Sequence, residues 1–164
     1  MNYRLQQFAN NDLVLARSAS ERQKINQSLA HLESILRYRL TGVVEITRFG
    51  SYTRNTILPR KFDVKSDIDL LIVFNGNFTS ETYRRQVINA ISSAYPNSLS
   101  KKDYPAIKLE LNHIIFDLVP ARKETSGWYG DRYFIPNRTN GWQQTIPNDL
   151  NNELAQKNQS VGDN

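Results

Sequence analysis

Apolar residues in the first third of the chain recur at a helical period. Ile25, Leu29, Leu32 and Leu36 stand three or four apart and predict one apolar stripe. Ser18 and Glu21 fit a capping box at its start, where hydroxyl and carboxylate satisfy free N–H groups. Gly42 marks its end. The period then shortens. Residues 43–49 alternate and are rich in β-formers, which predicts a strand. Residues 68–74 form a continuous apolar run, as expected of a strand buried on both faces.

Asn75, Gly76 and Asn77 break that run. Thr79 or Ser80 can cap a second helix reaching about residue 95, with Tyr83, Val87, Ile88 and Ile91 facing inward. Residues 106–111 and 114–119 read as two strands joined by a two-residue turn, Asn112 and His113. Beyond Pro120 the texture changes. Residues 121–147 carry Trp128, Tyr129, Tyr133, Phe134 and Trp142 among polar residues. So many large rings argue for an ordered loop or lid rather than a linker. Thr145 and Pro147 open a last helix that fades into a polar tail. The organisation expected is an extension over 1–17, a core over 18–157 and a flexible tail over 158–164.

Composition narrows the class. A chain of 164 residues can bury one real core. With no cysteine, disulfides and thiolate metal sites are excluded, which fits a reducing compartment. Only His31 and His113 are available for a histidine metal site, and the first lies off the apolar stripe while the second is a turn residue. No run approaches the length of a membrane span, and the first residues show no apolar secretory segment, so no membrane partner and a cytoplasmic location are expected. A net charge of +5 favours anionic partners such as nucleotides or nucleic acid, although solubility alone also explains it.

The candidate chemistry sits at residues 48–74. Gly50 allows a sharp turn and a close backbone approach, and Ser51 opens a turn whose N–H groups can hold a phosphate. Asp67 and Asp69 follow at the mouth of the buried run, on one strand face and about 6–7 Å apart. Like charges that close repel unless a cation lies between them. Asp117 is set in the apolar stretch 114–119, where a carboxylate is costly unless paired or bound to metal. If its strand lies beside the other two aspartates, the three make an oxygen-rich site for a hard divalent cation such as Mg²⁺ or Mn²⁺. Two such ions can activate an attacking hydroxyl and stabilise leaving pyrophosphate, with Asp117 accepting the hydroxyl proton. Taken singly, each aspartate has an ordinary alternative. Asp67 can cap a turn, Asp69 can pair with Arg54 or Arg60, and Asp117 can pair with a lysine.

These motifs, FGSYTRNT, SDIDLLIVF and FDLVPA, resemble the signature of the polymerase-β-like nucleotidyltransferase superfamily. The wording is most similar to the branch holding the bacterial cyclic-oligonucleotide synthases of antiphage defence and, more remotely, oligoadenylate synthetase. The segment YFIPNRTNGWQQTIP resembles that branch as well. The resemblance implies an α/β (α+β) core with a central twisted mixed sheet flanked by helices. It implies that Gly50 and Ser51 hold the phosphates of ATP or GTP and that Asp67, Asp69 and Asp117 hold two Mg²⁺ or Mn²⁺ ions. The reaction implied is transfer of a nucleoside monophosphate to a hydroxyl with release of pyrophosphate, making a cyclic or linear oligonucleotide signal.

Arg54 lies nearest the phosphate corner and is the foremost cationic candidate. Arg60, Lys61, Lys65, Lys101 and Lys102 can serve a triphosphate or RNA, or simply solvate a face. Trp142 can stack on a base or fill the core. Full members of the branch carry a C-terminal helical domain that this chain does not reach, which implies either a catalytic core or a cleft completed by self-association. Two alternatives remain open: an enzyme that modifies a protein, tRNA or drug, and a catalytically idle nucleotide- or RNA-binding module.

Overall fold

A computed structural model describes residues 19–53, 66–100, 104–126 and 130–145, together with the single positions 57 and 63. Two helices lie on a mixed sheet. Helix α1 (Ala19–Arg39) carries Glu21 in its first turn and Arg37 and Arg39 in its last, each matched in sign to the helix dipole. Ile25, Leu29, Leu32 and Leu36 are all buried, so the apolar stripe is the packing face. The chain leaves the helix through Gly42, whose φ of 80° suits glycine. Ser18 and the capping box it was expected to form lie outside the described residues, as do the expected extension and tail.

Strand β1 (Val43–Phe49) has the span that the sequence predicts. Strand β2 (Asp67–Phe74) is buried on both faces over most of its length. Helix α2 (Ser80–Ser92) is capped by Thr79, whose side chain accepts from the Thr82 N–H. It stops short of the expected end near Tyr95, because Ser93 caps it and Ala94 and Tyr95 both donate to the Ile91 carbonyl. A short strand β3 (Leu99–Ser100) follows, which the sequence pattern did not predict. Strands β4 (Ile107–Glu110) and β5 (Ile115–Ser126) form the expected hairpin about Asn112 and His113, closed by the Leu111 N–H donating to the Ile114 carbonyl. His113 reaches across the turn to the Ser28 hydroxyl on α1 at 2.9 Å, a structural role.

The region past Pro120 corrects the sequence reading. Most of its described part is strand, not loop or lid, while Trp128 and Tyr129 lie outside the described residues. β5 runs on to Ser126, β6 (Gly130–Pro136) pairs antiparallel with it, and β7 (Trp142–Thr145) pairs with β6. Arg122, Lys123, Glu124 and Thr125 are polar in succession, so no apolar alternation marks the strand. Its order comes from backbone pairing and from Arg122 lying over the rings of Phe134 and Trp142. Thr145 pairs with Tyr133 as a strand residue, and the helix expected after it falls outside the described residues.

The sheet order is β1-β2-β5-β4-β3, with β6 and β7 extending from β5. β2 and β5 are parallel; the other pairings are antiparallel. Alternation divides the strand residues between two layers. Ile68, Leu70, Ile72, Phe74, Phe116 and Leu118 face both helices and build the main core. Leu71, Val73, Val119 and Ala121 face the other way, with Phe49, Ala106, Tyr133 and Ile135 packed on them. Trp142 belongs to the helix-side core, 6.1 Å from the Tyr83 ring, so it fills space there. Among the described residues no helix is long and apolar enough to cross a membrane.

Candidate active site

Three separate stretches meet at one end of the sheet, on the face away from the helices. The register places Phe49 of β1 opposite Asp69 of β2, Asp69 opposite Asp117 of β5, and Asp117 opposite Lys108 of β4. These four residues form one row across four strands, and residues in one row share a face. Asp67 stands two residues from Asp69 and so projects to the same side, one row outward. Asp67, Asp69 and Asp117 are thus brought together by the parallel β2–β5 pairing.

Gly50 closes the site from the β1 side. Its φ of 75° lies in the left-handed region. A Cβ at this position would fall 2.1 Å from Asp69 Oδ2 and 3.1 Å from Asp69 Cγ. Only a residue without a side chain lets the backbone come this near the carboxylate. Ser51 follows in the turn, half-buried, and the Thr53 hydroxyl donates to the Gly50 carbonyl at 2.9 Å. Tyr52 packs toward α1 and donates its hydroxyl to Asn26 Oδ1 at 2.8 Å. Arg54 lies outside the described residues, as do Arg60, Lys61, Lys65, Lys101 and Lys102.

Lys108 is the residue that the sequence reading missed. Its Nζ lies 3.0 Å and 3.1 Å from the two oxygens of Asp117 and 4.0 Å from Asp67 Oδ2. The Asp117 side chain is only 13% exposed, so this ammonium offsets a charge that water reaches poorly. A usable signal was present. A two-residue turn at 112–113 pairs 111 with 114 and, counting outward, 108 with 117.

The donor set is what a hard divalent cation requires: carboxylate oxygens on adjacent strands beside a glycine corner. Among the described residues no three acidic or histidine side chains are gathered around a single point, and the Lys108 ammonium stands between Asp67 and Asp117. Residue types, shared face and the close Gly50–Asp69 approach fit a cation site, with Lys108 now set between the Asp67 and Asp117 carboxylates.

A second polar group occupies the same sheet face farther along. Lys123 pairs with Asp131 at 3.1 Å and with Glu45 at 3.4 Å, and the Tyr133 hydroxyl donates to Glu45. The Thr125 hydroxyl, and after it Lys123, hold the Asp131 carboxyl below its usual range. Asp131 in turn pushes the Lys123 ammonium upward, while burial and the Glu45 carboxylate raise Tyr133.

The fold is the core of the polymerase-β-like nucleotidyltransferases, a mixed sheet with helices on one face and an acidic row on the other. Residues 1–158 match the family model of the Second Messenger Oligonucleotide or Dinucleotide Synthetase domain, and the chain belongs to that family. It is 27% identical over 156 aligned residues to a probable cyclic nucleotide synthase of Bacillus cereus (strain VD146), covering 73% of this chain and 46% of that protein. Among solved structures it is similar to the STING-associated CdnE c-di-GMP synthase of Capnocytophaga granulosa. There the TM-score is 0.62 at 21% identity, covering 78% of this chain and 43% of that one. It is also similar to the Rhodothermus marinus CdnE c-UMP-AMP synthase with Apcpp and Upnpp. That TM-score is 0.62 at 14% identity, covering 84% and 56%. The chain spans about half the length of these relatives.

Proposed function

We propose that this protein is a nucleotidyltransferase that moves a nucleoside monophosphate from a nucleoside triphosphate to a hydroxyl, releases pyrophosphate and makes a cyclic or linear oligonucleotide signal. The observation that carries the reading is the row formed by Asp69 and Asp117, with Asp67 beside it and the Gly50 backbone against Asp69. A module that only binds a polyanion gains nothing from three carboxylates on its binding face. The family match and the nucleotide-synthase relatives support the same chemistry.

Asp67, Asp69 and Asp117 would hold Mg²⁺ or Mn²⁺. Bound there, two such ions supply charge neutralisation on the triphosphate and lower the pKa of the acceptor hydroxyl. Asp117, more enclosed than Asp67 and directly opposite Asp69, accepts the proton of the attacking hydroxyl. Gly50 and Ser51 present turn N–H groups to the β- and γ-phosphates. Arg54, three residues past Ser51, contributes charge to the same phosphates. ATP or GTP is the donor class, and a role in antiphage signalling follows the resemblance to the cyclic-oligonucleotide synthases.

The test is incubation with Mg²⁺ or Mn²⁺ and each labelled nucleoside triphosphate, with products resolved by mass. Oligonucleotide product with stoichiometric pyrophosphate, abolished by Asp69→Asn, is expected. Label carried to an added protein, tRNA or drug would replace the signal-synthesis reading. Absence of pyrophosphate with every metal and nucleotide would make the protein a binding module.

A further inference from the structure

Lys108 lies inside the carboxylate row, and none of the roles assigned so far uses it. Its position on β4 follows from the hairpin register, which sets it opposite Asp117. Its neighbours Ile107 and Leu109 are fully buried on the helix side, so the strand is anchored without it. The lysine side chain is itself only 23% exposed, which removes it from the class of screened surface pairs. Its ammonium contacts both oxygens of Asp117 and reaches Asp67, setting one monovalent charge between those two carboxylates.

We propose that Lys108 is a built-in counter-ion, a positioning residue that keeps the acidic row assembled in the cation-free protein and competes with divalent cations for it. The inference rests on the nucleotidyltransferase reading only for the identity of the competing ion. A divalent ion on Asp117 and Asp67 would need the same oxygens that the ammonium now contacts, and would repel it there. A divalent ion must therefore displace the ammonium. The displaced ammonium, on its four-carbon stem, stays on the face where a polyphosphate would lie. Lys108 thus keeps the affinity for free metal low and favours uptake of metal already carried by a nucleotide.

The test is Mn²⁺ binding to the full chain without nucleotide, followed by water-proton relaxation and calorimetry, on wild type, Lys108→Met and Lys108→Arg. Lys108→Met should bind Mn²⁺ about tenfold or more tightly, since the competing charge is gone. Its metal-free melting temperature should fall, and saturating Mn²⁺ should raise it by more than in wild type. Lys108→Arg, which keeps the charge, should bind like wild type.

Unchanged or weaker Mn²⁺ binding by folded Lys108→Met overturns the proposal. So does an equal drop in melting temperature with and without metal, which is what a purely structural lysine would give. Should Lys108→Met fail to fold, Lys108→Gln takes its place, and equal affinity of Lys108→Arg and Lys108→Gln overturns the proposal. Wild type is assayed in parallel for oligonucleotide product. Product without any effect on Mn²⁺ affinity sinks the counter-ion role alone. Raised affinity without product under any condition sinks the nucleotidyltransferase reading and leaves the counter-ion standing.

Discussion

Gly50 shows how one residue can decide the site. Alanine there would meet two penalties at once: a φ of 75°, which L side chains rarely adopt, and a Cβ 2.1 Å from Asp69 Oδ2. The backbone penalty is about 1–2 kcal/mol. The clash is relieved by swinging the carboxylate away, which moves the group that the proposed reaction assigns to metal binding. Gly50→Ala should therefore lower the melting temperature modestly while removing nearly all nucleotide transfer, as read by pyrophosphate release. A loss of stability with activity intact would mean that Asp69 need not stay where it is. At this scale the sequence was partly legible. Asp67, Asp69, Asp117 and Gly50 stand out because polar or small residues interrupt strongly apolar runs. Lys108 did not stand out, because a lone lysine in a short strand looks like a solvated position until its cross-strand partner is known.

Among the elements, β5 carries the most. Its first half supplies Asp117 and both core layers; its second half pairs with β6 and holds the network of Lys123, Glu45, Asp131 and Tyr133. Sequence reading found the first half, where apolar residues alternate about an aspartate, and missed the second, where polar residues follow one another. Pairing, not patterning, makes that half a strand. The network has a pH signature. Asp131 is held below its usual range first by Thr125, so its contribution is present above the ordinary carboxylate value and is lost as pH falls through the depressed one. Lys123 is raised, so its share persists at neutral pH and is lost as pH climbs through the raised value. Thr125→Val should move the Asp131 titration back toward the ordinary value, observed by carboxyl NMR. An unmoved titration would assign the shift to Lys123 alone.

At the scale of the molecule, the described helices and the main core lie on one side of the sheet, and the acidic row lies on the other beside a smaller apolar cluster that includes Phe49. Carboxylates concentrated at one end of the sheet should make folding depend on cations. Mg²⁺ with ATP or GTP should raise the melting temperature by linkage, by an amount set by ligand concentration over Kd. Asp67→Asn should abolish most of the rise while its own ligand-free melting temperature stays close to wild type. An undiminished rise in the variant would remove Asp67 from the ligand set. The sheet order itself was not readable from local pattern, since the contact between β2 and β5 is parallel and crosses a helix and a hairpin. That long detour has a kinetic side. Parallel strands so distant in the chain pair only after a large loop closes, a step that lags local helix and hairpin formation. The helices and the β4–β5 hairpin can form while Asp69 and Asp117 are still strangers. During refolding from denaturant, helical circular dichroism should recover ahead of catalytic competence, and competence should appear only with the final cooperative phase.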